Sequence, residues 1–200
     1  MMLFLEVVAV ISGAVFGVLL ARRKGMDFVG VFSLAFMTAF GGGTLRDLLL
    51  NRHPLFWIQY HWYPVIVFVV AALVAMIPKL PGDLEKWLMI PDALGLGLFS
   101  ILGTEIALEN DVAPFVAVLF GVMTGTFGGV IGDIVCNEVP NLFRPSTPLY
   151  ATCAFVGGWL WIGCKLLPIP YTASFSLCAS VVVTMRLIAL RFNISLKAID

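Results

Sequence analysis

The sequence predicts an all-α integral membrane protein with seven transmembrane helices, built as two inverted-topology three-helix repeats followed by a seventh helix. Three observations carry that reading. The 200-residue chain is 60% hydrophobic and only 12% charged, with a mean hydropathy of +1.02. Soluble domains carry about 25% charged residues, and a chain of this size cannot hide so much apolar surface in its own core. Charges, prolines and glycines then cut the chain into seven apolar runs near the ~20 residues that cross a bilayer. Finally, the sequence matches itself when displaced by 86 residues.

The seven segments fall at roughly 2–21, 28–50, 62–78, 88–108, 113–136, 148–166 and 172–191. Short, turn-like connectors join them: "RRKGMD", "NRHPLFWIQYH", "PKLPGDLEK", "ENDVAP", "NEVPNLFRPST" and "LPIPYT". No connector has room for a soluble domain, so the chain reads as one membrane domain. It divides into a first repeat (1–86), a second repeat (87–170) and a final helix with its tail (171–200). The first segment lacks a positive leader, and Arg22, Arg23 and Lys24 follow it. That order predicts an uncleaved helix with its N-terminus outside. Counting cations agrees. Arg22, Arg23, Lys24, Lys79, Lys86, Arg144, Arg191 and Lys197 share one side, against Arg52 and Lys165 on the other. The expected topology is N-terminus outside and C-terminus cytoplasmic, with Trp57, Trp62 and Trp87 near the interfaces.

The internal match is specific. "GGTLRDLLLNRHP" (42–54) lies on "GGVIGDIVCNEVP" (128–140), so that Gly42, Gly43, Asp47, Asn51 and Pro54 meet Gly128, Gly129, Asp133, Asn137 and Pro140. The same offset sets Glu6 on Asp92, Gly17 on Gly103, Ala21 on Ala107 and Thr38 on Thr124. A unit of three helices forces its second copy to enter the membrane upside down. Glycine-interrupted helices at matching positions of such repeats point to a permeation or substrate site between the second and fifth segments. Glycines in spanning helices also simply permit close packing. The Asp that follows each run favours the pathway.

Ionisable residues inside the spans sharpen this. A charge at the bilayer centre costs about 2.5–3.5 kcal/mol on insertion scales, so it faces a cavity or a partner. Glu6, Arg46, Asp47 and Glu105 lie toward the outside; Asp92, Asp133 and Arg186 lie toward the inside. Arg46 and Asp47 project about 100° apart on a helix, so each is expected to have its own environment. The second repeat carries Gly132 where the first has Arg46. Arg186 of the seventh segment is therefore expected to supply the missing cation, pairing with Asp133 or Asp92. A structural salt-bridge lock is the blander account of the same residues.

Glycine runs at Gly41, Gly42 and Gly43 and at Gly128 and Gly129 are expected to bend the two helices and free backbone carbonyls. Those carbonyls, with the hydroxyls of Thr38, Thr44, Thr124 and Thr126, are hard oxygen ligands for an alkali cation. A transient monovalent cation is expected near Gly42, Thr44, Gly128 and Asp133, with Asp47 and Asp133 attracting it and Arg46 and Arg186 opposing it. The same backbone could hold a small amino acid, and residue chemistry alone leaves both open. Catalysis is not expected: His53 and His61 sit in an outer connector, and no triad, HExxH or phosphate loop appears. Zero formal net charge and the lack of a basic aromatic patch argue against nucleic acid. Cys136, Cys153, Cys164 and Cys178 lie in apolar runs and read as small buried hydrophobes.

"MDFVGVFSLAFMTAFGGGTLRDLLLNRHP" and its echo "GVMTGTFGGVIGDIVCNEVP" resemble the bacterial branch of the trimeric intracellular cation (TRIC) channel family. The shared two-repeat domain is also described as a bacterial glycine-transporter domain. The resemblance spans about residues 3–190. The second copy departs from the first in having Phe127 where Gly41 would be and in lacking the arginine. The resemblance implies a homotrimer in the bacterial plasma membrane, with a potassium- and sodium-permeable pore in each protomer between kinked second and fifth helices. It implies no cofactor beyond the permeant ion; a carrier for glycine or another small amino acid is the alternative.

Overall fold

The computed structural model describes residues 2–77, 84–145 and 147–196, with residues 2 and 84–86 described by their backbone alone. Lys79, Lys197 and the Lys86 side chain, used in counting cations, lie outside the described residues. Each apolar segment becomes one helix: α1 (Met2–Arg23), α2 (Phe28–Leu49), α4 (Trp62–Ala75), α5 (Leu84–Glu109), α6 (Pro114–Val135), α7 (Ala151–Lys165) and α8 (Tyr171–Phe192). A four-residue helix, α3 (Phe56–Gln59), interrupts the second connector, and a 3₁₀ turn spans Asn141–Phe143. Five of these helices are long and apolar enough to cross a membrane: those running to Arg23, Leu49, Glu109, Val135 and Phe192. The 14 residues of α4 and 15 of α7 reach only about 21–23 Å, short of the ~30 Å hydrocarbon core. The boundary drawn between 86 and 87 falls inside α5.

Local chemistry fixes the helix ends. Asp27 caps α2, its Oδ1 accepting the Gly30 N–H at 2.9 Å. Pro114 opens α6, where its missing N–H costs nothing. Asn51 and Asn137 stop α2 and α6 with φ of 52° and 55°, a left-handed conformation that Asn tolerates better than most residues. The Arg52 N–H then donates to the Asp47 carbonyl at 2.8 Å, and the Glu138 N–H to that of Asp133 at 2.9 Å. Both ends are Schellman closures.

The helices run alternately between two ends of the molecule. At the basic end, α1 stops at Arg22 and Arg23, and Arg22 donates to the Val74 and Ile77 carbonyls that close α4. Arg23 and Lys24 reach Glu138, just past α6. Phe16 and Leu20, late in α1, share a cavity wall with Leu88 and Met89, early in α5, so these two helices run in opposite directions. The core between them is made of small and branched residues, including Ala9, Val10, Ala14, Val18, Ile101 and Leu102. The opposite, or far, end carries Glu6, Arg46, Asp47, Glu105 and Lys165.

Contacts within the first three-helix unit recur within the second. A side chain on Gly17 would collide with the Thr38 hydroxyl, and one on Gly103 with that of Thr124. Tyr63 donates to Glu6 at 2.7 Å, and Tyr150 to Asp92 at 2.8 Å. Asp47 accepts the Phe56 N–H at 2.9 Å, as Asp133 accepts that of Asn141 at 2.8 Å.

Candidate functional site: the crossing of α2 and α6

The two glycine stretches meet face to face. A Cβ added to Gly42 would overlap the Thr124 carbonyl, and one added to Gly128 would overlap the Thr38 carbonyl. Neighbouring glycines serve other close approaches. Gly41 faces Ile131 of α6, Gly43 lies under the Phe56 ring, and Gly129 faces the Tyr150 hydroxyl. Successive helical residues point about 100° apart, so three contiguous glycines clear a wide arc of α2. Neither helix is interrupted: both remain α-helical through 41–43 and 128–129. The glycines therefore do not break either helix. They remove the side chains that would hold the two helices apart.

A funnel leads from the basic end to this crossing. Its mouth is a cavity of about 290 Å³ whose wall includes Arg23, Asp92, Asp133, Asn141, Arg144 and Arg186. A narrower space of about 40 Å³ continues past Asp92, Gly129, Asp133, Tyr150 and Arg186. A last space of about 20 Å³ touches Thr38, Gly42, Asp92, Thr124, Gly128 and Gly129. That volume holds about one water molecule. Phe16 and Asp92 wall all three spaces.

Two buried clusters flank the crossing. On the funnel side, Arg186 is only 5% exposed. It donates from Nη1 to the Pro148 carbonyl at 2.7 Å and from Nη2 to Asp92 at 3.4 Å, with its guanidinium 4.5 Å from the Tyr150 ring centroid. Of the two partners expected for Arg186, the structure selects Asp92. Asp133 instead accepts from the Asn141 backbone across the same cavity. On the far side, Arg46 and Asp47 are 2% and 1% exposed. They do not occupy separate environments as expected: the Arg46 guanidinium folds back so that Nε and Nη2 both donate to Asp47 Oδ1, at 2.9 and 2.7 Å. Arg52 adds a third contact to that oxygen at 3.3 Å. A buried carboxylate needs most of its lone pairs satisfied, and Asp47 achieves this locally. Arg46 and Asp47 wall none of the three connected spaces.

The remaining site residues divide. Thr38 and Thr124 reach the crossing; the single Thr38 hydroxyl proton has the Gly13, Leu34 and Ala35 carbonyls within hydrogen-bonding distance, and Thr124 donates to the Phe120 carbonyl. Thr44 and Thr126 do not. Thr44 Oγ1 accepts from Trp57 Nε1 at 2.9 Å, and Thr126 donates to Val122 at 2.8 Å, each turned away from the funnel. The grouping of Gly42, Thr44, Gly128 and Asp133 about one cation is thus not assembled, because Thr44 lies two residues past Gly42 and so on the opposite face of α2. Glu105 joins α5 to α7, accepting from Trp161 at 2.9 Å and Lys165 at 2.7 Å. At the funnel mouth Glu138 gathers Lys24, Arg23 and Arg144 at 2.6, 3.0 and 3.6 Å. The Lys24 ammonium, with the two guanidiniums, holds its carboxyl below the usual glutamate range. Sequence reading passed over Tyr63, Tyr150, Asn141 and Glu138. The 86-residue match gave Glu138 no special weight because its counterpart is Arg52. The two tyrosines stand at offsets 57 and 58 from their carboxylates, so a strict 86-residue alignment separates them.

The sequence and the overall fold are similar to those of known proteins. The model of the glycine-transporter family matches residues 3–79 and again 89–165, two stretches displaced by the same 86 residues. A UPF0126 membrane protein of Vibrio cholerae is 38% identical over 186 residues, 92% of this chain and 76% of that protein. The UPF0126 inner membrane protein YadS of Escherichia coli K12 is 34% identical over 195 residues, 96% of this chain and 93% of that one. The solved structure of the TRIC trimeric intracellular cation channel orthologue from Rhodobacter sphaeroides superposes with a TM-score of 0.89 at 31% identity, covering 96% and 97% of the two chains. The chain belongs to the glycine-transporter domain family, in the branch of the prokaryotic TRIC channels.

Proposed function

We propose that the protein is a monovalent cation channel permeable to potassium and sodium, with one pore through each protomer of a homotrimer. The observation that carries this reading is the funnel. It brings two carboxylates, the partly buried Asp92 and the buried Asp133, to the glycine crossing of α2 and α6. Carboxylates in such a wall lower the energy of a cation entering from water, while Arg186 moderates the well so that the ion can leave. The kinship with a structure described as a trimeric cation channel supports both the ion and the assembly. The recurring contacts support two inverted-topology repeats related across the crossing. We place the basic end in the cytoplasm, by the excess of cations there. The relative named as an inner membrane protein supports the bacterial inner membrane as the location. No catalytic step and no resident cofactor enter this reading. The carbonyls of Thr38 and Thr124 and the carboxylate of Asp133 are the oxygen atoms a cation meets in passing. As the crossing admits about one water-sized body, conduction needs α2 and α6 to part there.

Purified protein in a planar bilayer should show unitary potassium currents. Electrical silence together with saturable glycine uptake into liposomes would overturn the channel in favour of a carrier.

A further inference from the structure

Two thiols meet far from the funnel. Cys164 lies in the last turn of α7 and Cys178 two turns into α8, and their Sγ atoms are 3.7 Å apart. Both residues are buried, at 6% and 0% exposure. The other two cysteines behave as ordinary core residues: Cys153 donates to the Leu149 carbonyl at 3.2 Å, and neither it nor Cys136 has a thiol contact among the described residues. Cys164 and Cys178 differ, since the hydrogen-bonding contact of each thiol is the other thiol.

The surrounding geometry favours their joining. α7 and α8 are already drawn together, for a side chain on Gly157 would collide with Val182. A disulfide has a bond of about 2.05 Å, so the sulfurs need to close by roughly 1.7 Å, within reach of side-chain rotation and a small helix adjustment. Trp161 and Phe175, whose ring centroids lie 5.8 Å apart, pack across the same helix pair.

We propose that Cys164 and Cys178 form a reversible dithiol–disulfide pair that staples α8 to α7. The site is apolar, so it takes a small uncharged two-electron oxidant of the diazene or quinone class in preference to a charged disulfide. With a diazenedicarboxamide, one thiolate adds to the N=N bond and that nitrogen pair takes up a proton. The second thiolate then attacks the bound sulfur, the S–S bond forms and the S–N bond breaks. The hydrazine leaves with the second proton. The two sulfurs have lost two electrons and the diazene has gained them. A dithiol reductant reverses the change by thiol–disulfide exchange. The staple matters to the rest of the molecule because α8 also carries Arg186, two further turns along, into the funnel.

The test treats the full chain in detergent micelles with diamide, denatures it, and alkylates every remaining thiol. The expected result is two alkylated cysteines, Cys136 and Cys153, with the intact mass lower by two hydrogen atoms and a Cys164–Cys178 peptide link on digestion. Dithiothreitol should restore four alkylated thiols. Cys164→Ser and, as a second variant, Cys178→Ser should each retain all three of their thiols after diamide. Four free thiols in treated wild-type protein would overturn the proposal. A link through Cys136 or Cys153, or the same loss of hydrogens in both serine variants, would overturn it equally. The readout is a mass and not a current, so its failure is separate from any failure of the channel reading.

Discussion

Gly42 and Gly95 look equivalent in the sequence, each a glycine inside an apolar helix, yet they stand in opposite situations. A Cβ at Gly42 overlaps the Thr124 backbone carbonyl, which cannot swing aside. A Cβ at Gly95 meets only the Ser12 Cβ at 3.9 Å, an ordinary contact. Overpacking a tight contact typically costs about 1–3 kcal/mol. Gly42→Ala should therefore lower the thermal midpoint in detergent by several degrees, as should Gly128→Ala. Gly95→Ala should leave it unchanged. If all three variants melt like the parent, the crossing is looser than described. The same distinction explains what was legible at this scale. The offset singled out Gly42 and Gly128, and helix periodicity could have placed Thr38 and Gly42 on one face of α2. Which atom each glycine faces depends on the partner helix.

At the scale of elements, α8 is held to α5 through Arg186 and Asp92, with Tyr150 as a shared support. Removing one member of a buried pair strands the other, so single substitutions overstate the interaction and a double-mutant cycle isolates it. Arg186→Gln and Asp92→Asn should show a coupling of about 0.5–3 kcal/mol in thermal or denaturant unfolding. The cycle with Asp133→Asn should give less, because Asp133 is held by the Asn141 backbone. Equal coupling in the two cycles would remove Asp92 as the specific partner. Seven of the eight α-helices among the described residues are visible in the sequence as apolar runs, since hydropathy over ~20 residues is a strong signal. α3 is not, for four residues are too few to show a period. The short lengths of α4 and α7 were missed because their flanking apolar residues extend the run beyond the helix.

Across the whole molecule, the ends of the two halves are tied at the funnel mouth. Glu138 follows α6, while Arg23 and Lys24 close α1, so one carboxylate joins both halves to Arg144. Its folded value is depressed, so its contribution is complete above the ordinary glutamate range near ~4.3 and disappears as the pH falls through the lower folded value. These pairs are partly exposed, which limits each to about 0.2–1 kcal/mol. Glu138→Gln should accordingly lower the melting temperature modestly at neutral pH, with the gap from the parent closing in acid and shrinking in high salt. A gap that stays constant with pH would mean the carboxylate charge is not what binds the halves.

The sequence by itself determined the solvent of this protein, its helical spans, the paired glycine stretches and the carboxylates that follow them. These are properties of composition and of spacing along one chain, and they survive any rotation of one helix against another. The tertiary structure alone decided the partners: Arg46 turning back on its own neighbour, Arg186 choosing Asp92 over Asp133, Thr44 facing Trp57, and Cys164 meeting Cys178. Each depends on the depth and rotation at which two helices pack. A shift of one residue turns a helical side chain by about 100°, enough to exchange a cavity wall for lipid. Packing at the glycine crossing sets that rotation for α2 and α6, and it is a property of the two surfaces together.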